Sequence, residues 1–320
     1  MRVLVTGGAG FIGSHLVERL LAEGHTVVCL DNFDDFYSPD LKRLNLTRVA
    51  SHPRFRLVEG DILDRPVVEQ ACADAPDVVI HLAARAGVRT SIVQPDLYAR
   101  VNVQGTIAVL EACRRQGVEH VVFGSSSSVY GRQDAHPWAE DGTAPRPASP
   151  YGWSKLAGEQ YCRMFHDLCG VPVTCLRFFT VYGPRQRPDM AIHRFARCMA
   201  SGEPVPVYGD GQAVRDYTFV DDVVDGILRA LAHPGGYRVY NLGSGRPVAL
   251  CDLIGMLGRA MGVTWTVRWL PPQPGDVPAT HAAIERARSE LGYEPRTTLE
   301  HGLASFVRWF REQGRPWTSA

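Results

Sequence analysis

Tyr151 and Lys155 are the residues whose types and spacing best suit proton-transfer chemistry. They open a stretch with helical apolar periodicity after a proline-rich segment, so the sequence predicts a helix that starts near Tyr151. Residues four apart share a face of a helix, and an ammonium group beside a phenol lowers the phenol pKa from about 10. The pair therefore predicts a general base that works near neutral pH. The same spacing also suits a half-buried tyrosine beside a solvated lysine, so the rest of the chain must decide.

A glycine-rich turn near the N-terminus is a candidate binding site for a dinucleotide. An apolar run at residues 2–6 predicts a buried strand, Gly7, Gly10 and Gly13 follow it, and a helical pattern begins at Ser14. Glycines at these positions permit close approach of the backbone to a pyrophosphate, which the helix N-terminus attracts. The strand before and the helix after favour dinucleotide binding over a plain connection.

Acidic residues at the ends of the next predicted strands indicate which dinucleotide binds. Asp31 ends the run at 26–30, where it can accept hydrogen bonds from the adenosine ribose and would repel a 2′-phosphate, so NAD is favoured over NADP. We expect Asn32 to assist at the adenosine side and Asp61 to meet the adenine amino group. We interpret the polar insertion after the second strand as a surface segment, with Asp34, Asp35, Lys42 and Arg43.

The elements that carry these residues alternate between strand and helix. This rhythm predicts a Rossmann-like, doubly wound parallel sheet of the α/β class, whose ligands bind outside the carboxyl ends of the strands. Ala83 and Ala84 follow one such strand, where small side chains let the backbone lie against a cofactor, and the serine run 125–128 follows another. We interpret His81, within a strand, as a core residue.

After Gly183 the sequence becomes polar and turn-rich, which predicts a second lobe. We expect residues 1–183 to form the NAD-binding domain, with 217–245 packing back onto it. Residues 184–216 and 246–320 then form a smaller, partly interleaved α/β lobe, the natural place for a substrate.

The composition and overall charge of the chain limit the classes of function that it could have. The chain has 320 residues and a formal net charge of zero, so nothing in its overall charge indicates a nucleic-acid or membrane partner. Eight scattered cysteines lack a C-x-x-C pair, so we interpret them as core residues of a reduced, cytoplasmic protein without a metal site. The sequence shows neither a signal peptide nor an apolar run able to span a bilayer. Lys155 is one of only two lysines, the other being Lys42.

Together these motifs resemble the extended short-chain dehydrogenase/reductase family along essentially the whole chain. The glycine pattern, the serine run and the Tyr151/Lys155 pair are its marks, weak separately and specific together. Within the family, the chain looks most like the nucleotide-sugar 4-epimerases. The stretch 177–191 (R-F-F-T-V-Y-G-P-R-Q-R-P-D-M-A) is similar to that of UDP-glucuronate 4-epimerases of bacteria and plants.

The resemblance implies a reaction and a cofactor site. Tyr151 takes the proton from the sugar 4-hydroxyl as hydride passes to bound NAD, Ser126 hydrogen-bonds O4, and Lys155 holds the nicotinamide ribose. The 4-keto sugar turns over, and hydride returns to its other face. The full set of expected NAD contacts, besides Tyr151 and Lys155, is Gly7, Gly10, Phe11, Ile12, Gly13, Asp31, Asn32, Asp61, Ile62, Leu82, Ala83, Ala84, Asn102, Ser125 and Phe178.

Two departures separate this chain from other branches of that family. Dehydratases and UDP-glucuronate decarboxylases usually carry a glutamate where this chain has Ser128, and dehydratases place an aspartate where it has Ser127. Without an acid at these positions, deprotonation at C5 lacks its obvious agent, so epimerisation is the simpler outcome.

The resemblance also suggests how a UDP-sugar is held. Arg215 resembles the phosphate-binding arginine, Asp276 the uridine-ribose acceptor, and the segment containing Val207 and Tyr208 would flank the uracil. Contacts with the sugar are expected from Ser127 and Thr180.

An arginine distinguishes UDP-glucuronate from UDP-glucose, because a guanidinium can bind the C5 carboxylate bidentately. We favour Arg185, with Arg187 and Arg89 as alternatives, although Arg185 also suits a surface position. A 4-keto uronic acid is a β-keto acid that readily loses carbon dioxide. We hypothesise that fixing the carboxylate near the ring plane weakens overlap of its C–C bond with the ketone.

Other functions remain open from the sequence. The nearest alternative is 4-epimerisation of UDP-glucose and UDP-galactose, followed by decarboxylation or dehydration of a nucleotide sugar. A net oxidoreductase would release NADH, and a non-catalytic NAD-binding regulator could lack the tyrosine or lysine that this chain keeps. Resemblance suggests a homodimer through helices near 102–113 and 151–168.

Overall fold

The structure is a computed structural model that describes residues 1–133, 136–142 and 145–313. The sequence alternates between apolar runs and amphipathic stretches, and the strands and helices alternate in the same way. The strands are β1 (Arg2–Thr6), β2 (Thr26–Asp31), β3 (Phe55–Glu59), β4 (Val78–His81), β5 (His120–Ser126), β6 (Val173–Phe178), β7 (Thr180–Tyr182), β8 (Val205–Tyr208), β9 (Val214–Phe219), β10 (Tyr237–Leu242), β11 (Pro247–Ala249) and β12 (Val267–Leu270).

Helices connect most of these strands. They are α1 (Phe11–Ala22), α2 (Pro39–Leu46), α3 (Arg65–Ala71), α4 (Val88–Val93), α5 (Pro95–Ala99), α6 (Gly105–Gln116), α7 (Pro150–Cys169), α8 (Ala191–Ser201), α9 (Val220–Ala232), α10 (Leu250–Met261), α11 (Glu285–Leu291) and α12 (Leu299–Glu312). A π-helical segment, Arg100–Gln104, leads directly into α6, and a 3₁₀ turn, Ser127–Val129, follows β5.

A seven-stranded parallel sheet forms the centre of the molecule, in the order β10-β6-β5-β4-β1-β2-β3. The predicted Rossmann-like, doubly wound α/β fold is therefore confirmed. The order reverses between β1 and β4, and in such sheets this switch point opens a crevice for ligands at the carboxyl ends of the strands.

Helices cover both faces of the sheet because its strands are apolar on both sides. Along β1, Val3 and Val5 pack into one core with Leu16 and other residues of α1, whereas Leu4 packs into a second core with Val68 of α3. This alternation follows the two-residue period of a strand. A strand buried on both faces is a short, nearly continuous apolar run, which is what the sequence shows.

Two smaller sheets lie outside the large one. Strand β9 pairs with β7 and β11, and β8 pairs with β12. Helix α9 packs on α1, and β10 returns the chain to the edge of the large sheet, so residues 237–242 lie beside β6. The stretch 314–320, at the end of the expected substrate lobe, lies outside the described residues.

Candidate active site

Helix α7 presents Tyr151 and Lys155 on one face. Ser149 caps its N-terminus by accepting a hydrogen bond from the backbone N–H of Gly152 at 3.1 Å, and Pro150 occupies the first turn. The proline-rich approach and this cap fix where the helix begins. Both side chains line a cavity of about 610 Å³ at the carboxyl ends of the central strands, which we call the first cavity.

Lys155 is buried and tied to the neighbouring strand. Its Nζ donates a hydrogen bond to the carbonyl oxygen of Gly124 at 2.7 Å and lies 5.1 Å from the centre of the Phe123 ring. Burial lowers the pKa of Lys155 to about 8. The lysine therefore holds its proton at neutral pH but gives it up more easily than a solvated one.

The structure revises the expected electrostatics of Tyr151. Burial raises the pKa of its phenol, and a hydrogen bond from Ser126 and the positive charge of Arg187 oppose that rise. Lys155 is not among these influences. The expectation that Lys155 lowers the tyrosine pKa is thus not met in this structure; Ser126 and Arg187 have that effect.

The serine run lies where β5 ends and the 3₁₀ turn begins. Ser126 accepts a hydrogen bond from the backbone N–H of Ser128 at 3.1 Å, and Ser125 donates its hydroxyl to Glu159 of α7 at 2.5 Å. All four serines of the run, 125–128, line the first cavity. Hydroxyl groups, rather than acids, therefore face the space beside Tyr151.

The opposite end of the first cavity is built by the glycine-rich turn. Gly7 has φ of +73°, and a Cβ there would lie 2.7 Å from the backbone nitrogen of Ala83. Gly10 begins α1 without a side-chain cap, so the first backbone N–H groups of the helix have no side-chain acceptor. This cradle fits a pyrophosphate group.

Acidic side chains lie beside that turn. The Asp31 carboxylate accepts hydrogen bonds from the backbone N–H groups of Ala9 at 3.0 Å and Phe33 at 2.9 Å. Asn32 donates to Asp61 at 2.8 Å. These contacts orient Asp31 while leaving its remaining lone pairs for ribose hydroxyls.

The first cavity gathers nearly all the predicted NAD contacts. Its lining includes Gly7, Gly10, Phe11, Ile12, Gly13, Asp31, Asn32, Asp61, Ile62, Leu82, Ala83, Ala84, Ser125, Tyr151, Lys155 and Phe178. Two expected sugar contacts, Ser127 and Thr180, line it too. The residues expected at a pyrophosphate, a ribose and a reacting sugar thus share one continuous space.

Asn102 is the exception among the predicted NAD contacts. Its side chain is buried and hydrogen-bonded to both backbone groups of Arg85, at 2.7 and 2.9 Å, and to the Ser154 hydroxyl at 2.9 Å. Ser154 in turn donates to the carbonyl of Tyr151 at 2.8 Å. Asn102 does not line the cavity; it ties the loop after β4 to the start of α7.

The insertion after β2 is not the surface segment that its polarity predicted. Four of its side chains, Asp34, Phe36, Tyr37 and Lys42, line the first cavity. Lys42 donates to the carbonyl of Asp34 at 2.6 Å, and Arg85 pairs with the Asp34 carboxylate at 2.8 Å. Polarity misled the prediction because these charged groups pair with one another over a cavity. Arg43 does pair at the surface, with Glu59 at 2.9 Å.

A second cavity, of about 760 Å³, collects three of the predicted nucleotide contacts, namely Tyr208, Arg215 and Asp276. The guanidinium of Arg89 lines neither cavity, although the neighbouring Val88 lines the first. That guanidinium pairs with Asp276 at 2.9 Å and lies 4.4 Å from the centre of the Tyr208 ring. The side chain of Val207 is buried in the core, so its predicted role at a uracil is not reflected in its position.

The placement of the arginines corrects the preference for Arg185. Arg185 pairs with Glu18 of α1 at 2.5 Å, and its φ of +63° belongs to a sharp turn outside both cavities. Arg187 lines the first cavity instead. Asp189 holds it through Nε at 3.0 Å and Nη2 at 2.9 Å.

This geometry agrees with what family comparison finds. The model of the NAD dependent epimerase/dehydratase family matches residues 3–243, about three quarters of the chain. The chain belongs to the NAD-dependent epimerase/dehydratase family. The resemblance to extended short-chain dehydrogenases/reductases drawn from the sequence is thereby confirmed.

Relatives within this epimerase/dehydratase family are similar over almost the full chain. UDP-glucuronate 4-epimerase 1 of Arabidopsis thaliana is 40% identical over 327 residues, which span 96% of this chain and 76% of that protein. The crystal structure of UDP-glucuronic acid 4-epimerase from Bacillus cereus with UDP-glucuronic acid and NAD is 38% identical. It covers 98% of this chain and 100% of its own, with a TM-score of 0.93. A UDP-glucose 4-epimerase from Thermotoga maritima, solved with UDP-glucose, is 36% identical, with a TM-score of 0.91 and coverage of 98% and 99%.

One buried group of this epimerase/dehydratase was missed by the sequence reasoning. Glu159 lies behind the serine run, bound to Arg177 of β6 at 2.7 Å. Helical spacing was the available signal, because Glu159 follows Lys155 by four residues and Tyr151 by eight.

The described part of the chain shows neither a metal-binding cluster nor a membrane-spanning helix. Among these residues, no group of three or more His, Cys, Asp or Glu side chains is arranged to hold a metal ion. No helix within them is long and apolar enough to cross a bilayer.

Proposed function

We propose that this protein is an isomerase that converts UDP-glucuronate to UDP-galacturonate by NAD-dependent epimerisation at C4. The observation that carries the proposal is the position of Arg187, which lines the same cavity as Tyr151 and the serine run. A fixed guanidinium beside a catalytic tyrosine suits a sugar that carries a carboxylate.

NAD fits the first cavity through the glycine turn, the first turn of α1 and Asp31. The strongest observation is the close approach of Gly7 to Ala83, since a side chain at position 7 would close the cradle. Bound NAD supplies a hydride acceptor for C4 of the sugar and then the hydride donor for the opposite face. Asp31 receives the ribose hydroxyls, and Lys155 holds the nicotinamide ribose.

Tyr151 and Ser126 carry the proton transfer in this proposal. Ser126 interacts with the phenol of Tyr151 and lies at the end of β5, so it can hydrogen-bond O4 and pass a proton to the base. The hydrogen bond from Ser126 and the charge of Arg187 favour the phenolate form of Tyr151 against the effect of burial. That form accepts the proton as the alcohol becomes a ketone, and the phenol returns it afterwards. Ser127 and Thr180 complete the polar surface around the sugar.

Arg187 holds the carboxylate and limits the side reaction. Asp189 takes one N–H each from Nε and Nη2 of Arg187, which leaves both N–H groups of Nη1 and the second of Nη2 for a substrate carboxylate. A carboxylate held near the plane of the sugar ring has poor overlap between its C–C bond and the ketone, so carbon dioxide is retained. Serine at 127 and 128 leaves no acid to deprotonate C5, which favours epimerisation over dehydration.

The second cavity suits the UDP portion of the substrate. Three expected nucleotide contacts line it: in this proposal Arg215 binds the diphosphate, Tyr208 stacks on the uracil, and Asp276 accepts from the uridine ribose. Arg89 already pairs with Asp276, so it orients that carboxylate.

The deciding experiment incubates the purified protein separately with UDP-glucuronate and UDP-glucose and follows the products by NMR. We expect inversion at C4 of UDP-glucuronate without added NAD and without loss of carbon dioxide. Turnover of UDP-glucose alone would assign the protein to UDP-glucose 4-epimerisation, the activity named for the Thermotoga maritima relative. Release of NADH or of a pentose nucleotide would contradict the proposal.

We further propose that the protein is a homodimer assembled through α7. Met164 and Leu168 follow Trp153 by about three and four helical turns, so the three side chains lie on one exposed face. Trp153 is 52% exposed and Leu168 is 76% exposed. Sedimentation velocity should show a dimer, and Leu168→Glu should shift it to monomer; a monomeric parent would contradict the assembly.

We also propose a cytoplasmic location, because all eight cysteines are free. Cell fractionation tests it, and recovery from an oxidising compartment would contradict it.

A further inference from the structure

Glu159 is the acid closest to the catalytic pair along α7, and the proposed chemistry gives it no part. It lies one turn beyond Lys155 and is only 1% exposed. Its carboxylate makes a bidentate pair with Arg177 of β6, with Nε at 2.9 Å from Oε1 and Nη2 at 2.7 Å from Oε2. Such a bidentate pair compensates the charge of a buried carboxylate and fixes its orientation.

The same carboxylate reaches the lining of the first cavity through Ser125. The Ser125 hydroxyl donates to Oε1 of Glu159 at 2.5 Å. With its proton committed to Glu159, the Ser125 oxygen presents only acceptor lone pairs to the cavity. Glu159 therefore fixes both the rotamer and the hydrogen-bonding character of a residue expected to contact NAD.

We propose that Glu159 is a positioning residue of the active site, which keeps Lys155 charged and holds Ser125 as an acceptor. This inference rests on the proposed epimerase function. The geometry behind it is the helical turn that separates Glu159 from Lys155, the enclosure of both side chains, and the short bond to Ser125.

Glu159 is one of two groups whose charge favours the protonated form of Lys155, the other being Cys162. Burial lowers the pKa of Lys155 to about 8, while Cys162 and Glu159 act in the opposite direction. Burial also lowers the pKa of His81, on β4, to about 3, so its imidazole is neutral. The other titratable groups near this part of α7 are Tyr151 on the helix itself, Arg177 and Cys175 on β6, Tyr98 on α5 and Tyr237 on β10. Glu159 is the carboxylate within this set.

The test uses the fact that the chain has only two lysines. Holoenzyme labelled with ¹³C at lysine Cε should give two lysine signals, which Lys42→Arg assigns. Titration of the Lys155 signal then follows its charge directly, without reference to turnover. We expect Glu159→Gln to lower the midpoint by about one pH unit, because an adjacent carboxylate stabilises the ammonium form.

Two further variants separate the effect of the Glu159 charge from the effect of the Ser125 hydroxyl. Glu159→Gln leaves the Arg177 guanidinium buried without a partner, so Glu159→Gln/Arg177→Met provides a neutral pair if the single variant does not fold. The double variant should also lower the midpoint, by less. Ser125→Ala removes the hydroxyl, and with it both the bond to Glu159 and the expected acceptor for NAD, while leaving the Glu159 charge; it should leave the Lys155 midpoint in place and reduce the NAD retained after gel filtration.

An unchanged Lys155 midpoint in Glu159→Gln and in the double variant would overturn the inference. Unchanged NAD retention in Ser125→Ala would overturn its second half. If the parent has no epimerase activity but the midpoints move as expected, the proposed reaction fails while the electrostatic part stands.

Discussion

Arg187 reaches the first cavity with its orientation already set. Asp189 binds two of its nitrogens, and the Phe36 ring lies with its centre 5.5 Å from the guanidinium carbon. A guanidinium held in this way loses little side-chain entropy when a carboxylate binds it. Selectivity for a charged sugar can therefore rest on one side chain.

Replacing Arg187 by methionine should reduce kcat/KM for UDP-glucuronate by at least about tenfold, because hydrogen bonds to a charged group contribute about 1.5–3 kcal/mol. Carbon dioxide release should rise. Arg185→Met is the matched control, since Arg185 pairs with Glu18 outside the cavity and its loss should leave kcat/KM nearly unchanged. Equal effects of the two substitutions, measured by product NMR, would contradict this assignment.

The lowered pKa of Lys155 predicts that activity falls at alkaline pH. Its pKa of about 8 means that the ammonium form persists below that pH and is lost as the pH rises through it. We expect kcat/KM to fall through about pH 8, whereas a solvated lysine would keep its charge to about pH 10. Lys155→Arg, although slow, should show no decline between pH 7 and 9.5. A flat profile for the parent over that range would contradict the prediction.

Arg185 and Arg187 also show what the sequence could not predict for single residues. The residue types predicted that an arginine after β7 would bind the carboxylate, but they did not show whether Arg185 or Arg187 faces the cavity. Arg185 adopts a left-handed backbone conformation, which is uncommon for residues other than glycine, and no local sequence pattern predicts it. Tyr151 and Lys155, in contrast, are placed by regular helix geometry, which spacing alone predicts.

At the scale of elements, the start of α7 determines where the catalytic pair lies. Ser149 caps the helix, and Asn102 holds its first turn through Ser154. The cap anchors a helix whose register places both Tyr151 and Lys155 in the first cavity. A small change at this end therefore affects catalysis as well as stability.

Ser149→Ala should cost about 1 kcal/mol of stability, as loss of a helix N-cap does, and should also lower kcat. Thr298 provides the control, because it caps α12 in the same manner by accepting from the His301 N–H at 3.3 Å. Thr298→Ala should cost a similar amount and leave kcat unchanged. Chemical denaturation and steady-state kinetics measure the two effects; equal kcat in both variants would contradict a link between the cap and catalysis.

Sequence predicted most elements of the large sheet but not the segments shaped by tertiary contacts. Buried parallel strands are short apolar runs that end at glycine or aspartate, and these were recognisable. The interpretation of 102–113 as one helix missed the π-helical segment before α6, which holds Asn102 against Arg85 and Ser154. Hydrogen bonds between distant residues stabilise that segment, so its sequence carries no periodic signal.

At the scale of the whole molecule, buried histidines make the fold sensitive to acid. Burial lowers the pKa of His15, His120 and His193 to about 4 and that of His81 to about 3. Unfolded histidines titrate near 6.5. Between these pKa values the unfolded chain binds more protons than the folded chain, so the folded state loses stability as the pH falls from about 6.5 towards 4.

Thermal unfolding should therefore show a Tm that declines across this window. His120 lies in the sheet with Nε2 3.0 Å from the Thr174 hydroxyl, away from the first cavity. His120→Gln keeps a polar group there and should make the decline shallower, even if its Tm at pH 7 is lower. A parent Tm that is constant between pH 6.5 and 4.5 would contradict the prediction.

Strand β10 completes the large sheet late in synthesis. It pairs with β6, which the ribosome finishes roughly 60 residues earlier, a delay of several seconds at about 5–20 residues per second. During that interval β6 is an open edge, able to pair with another nascent chain. We expect protease to cut β6 in released chains truncated at residue 183 and to spare it in released chains truncated at residue 245. Equal cleavage would show that β10 does not protect this edge; unequal cleavage would make crowding on the polysome, as well as sequence, a determinant of yield.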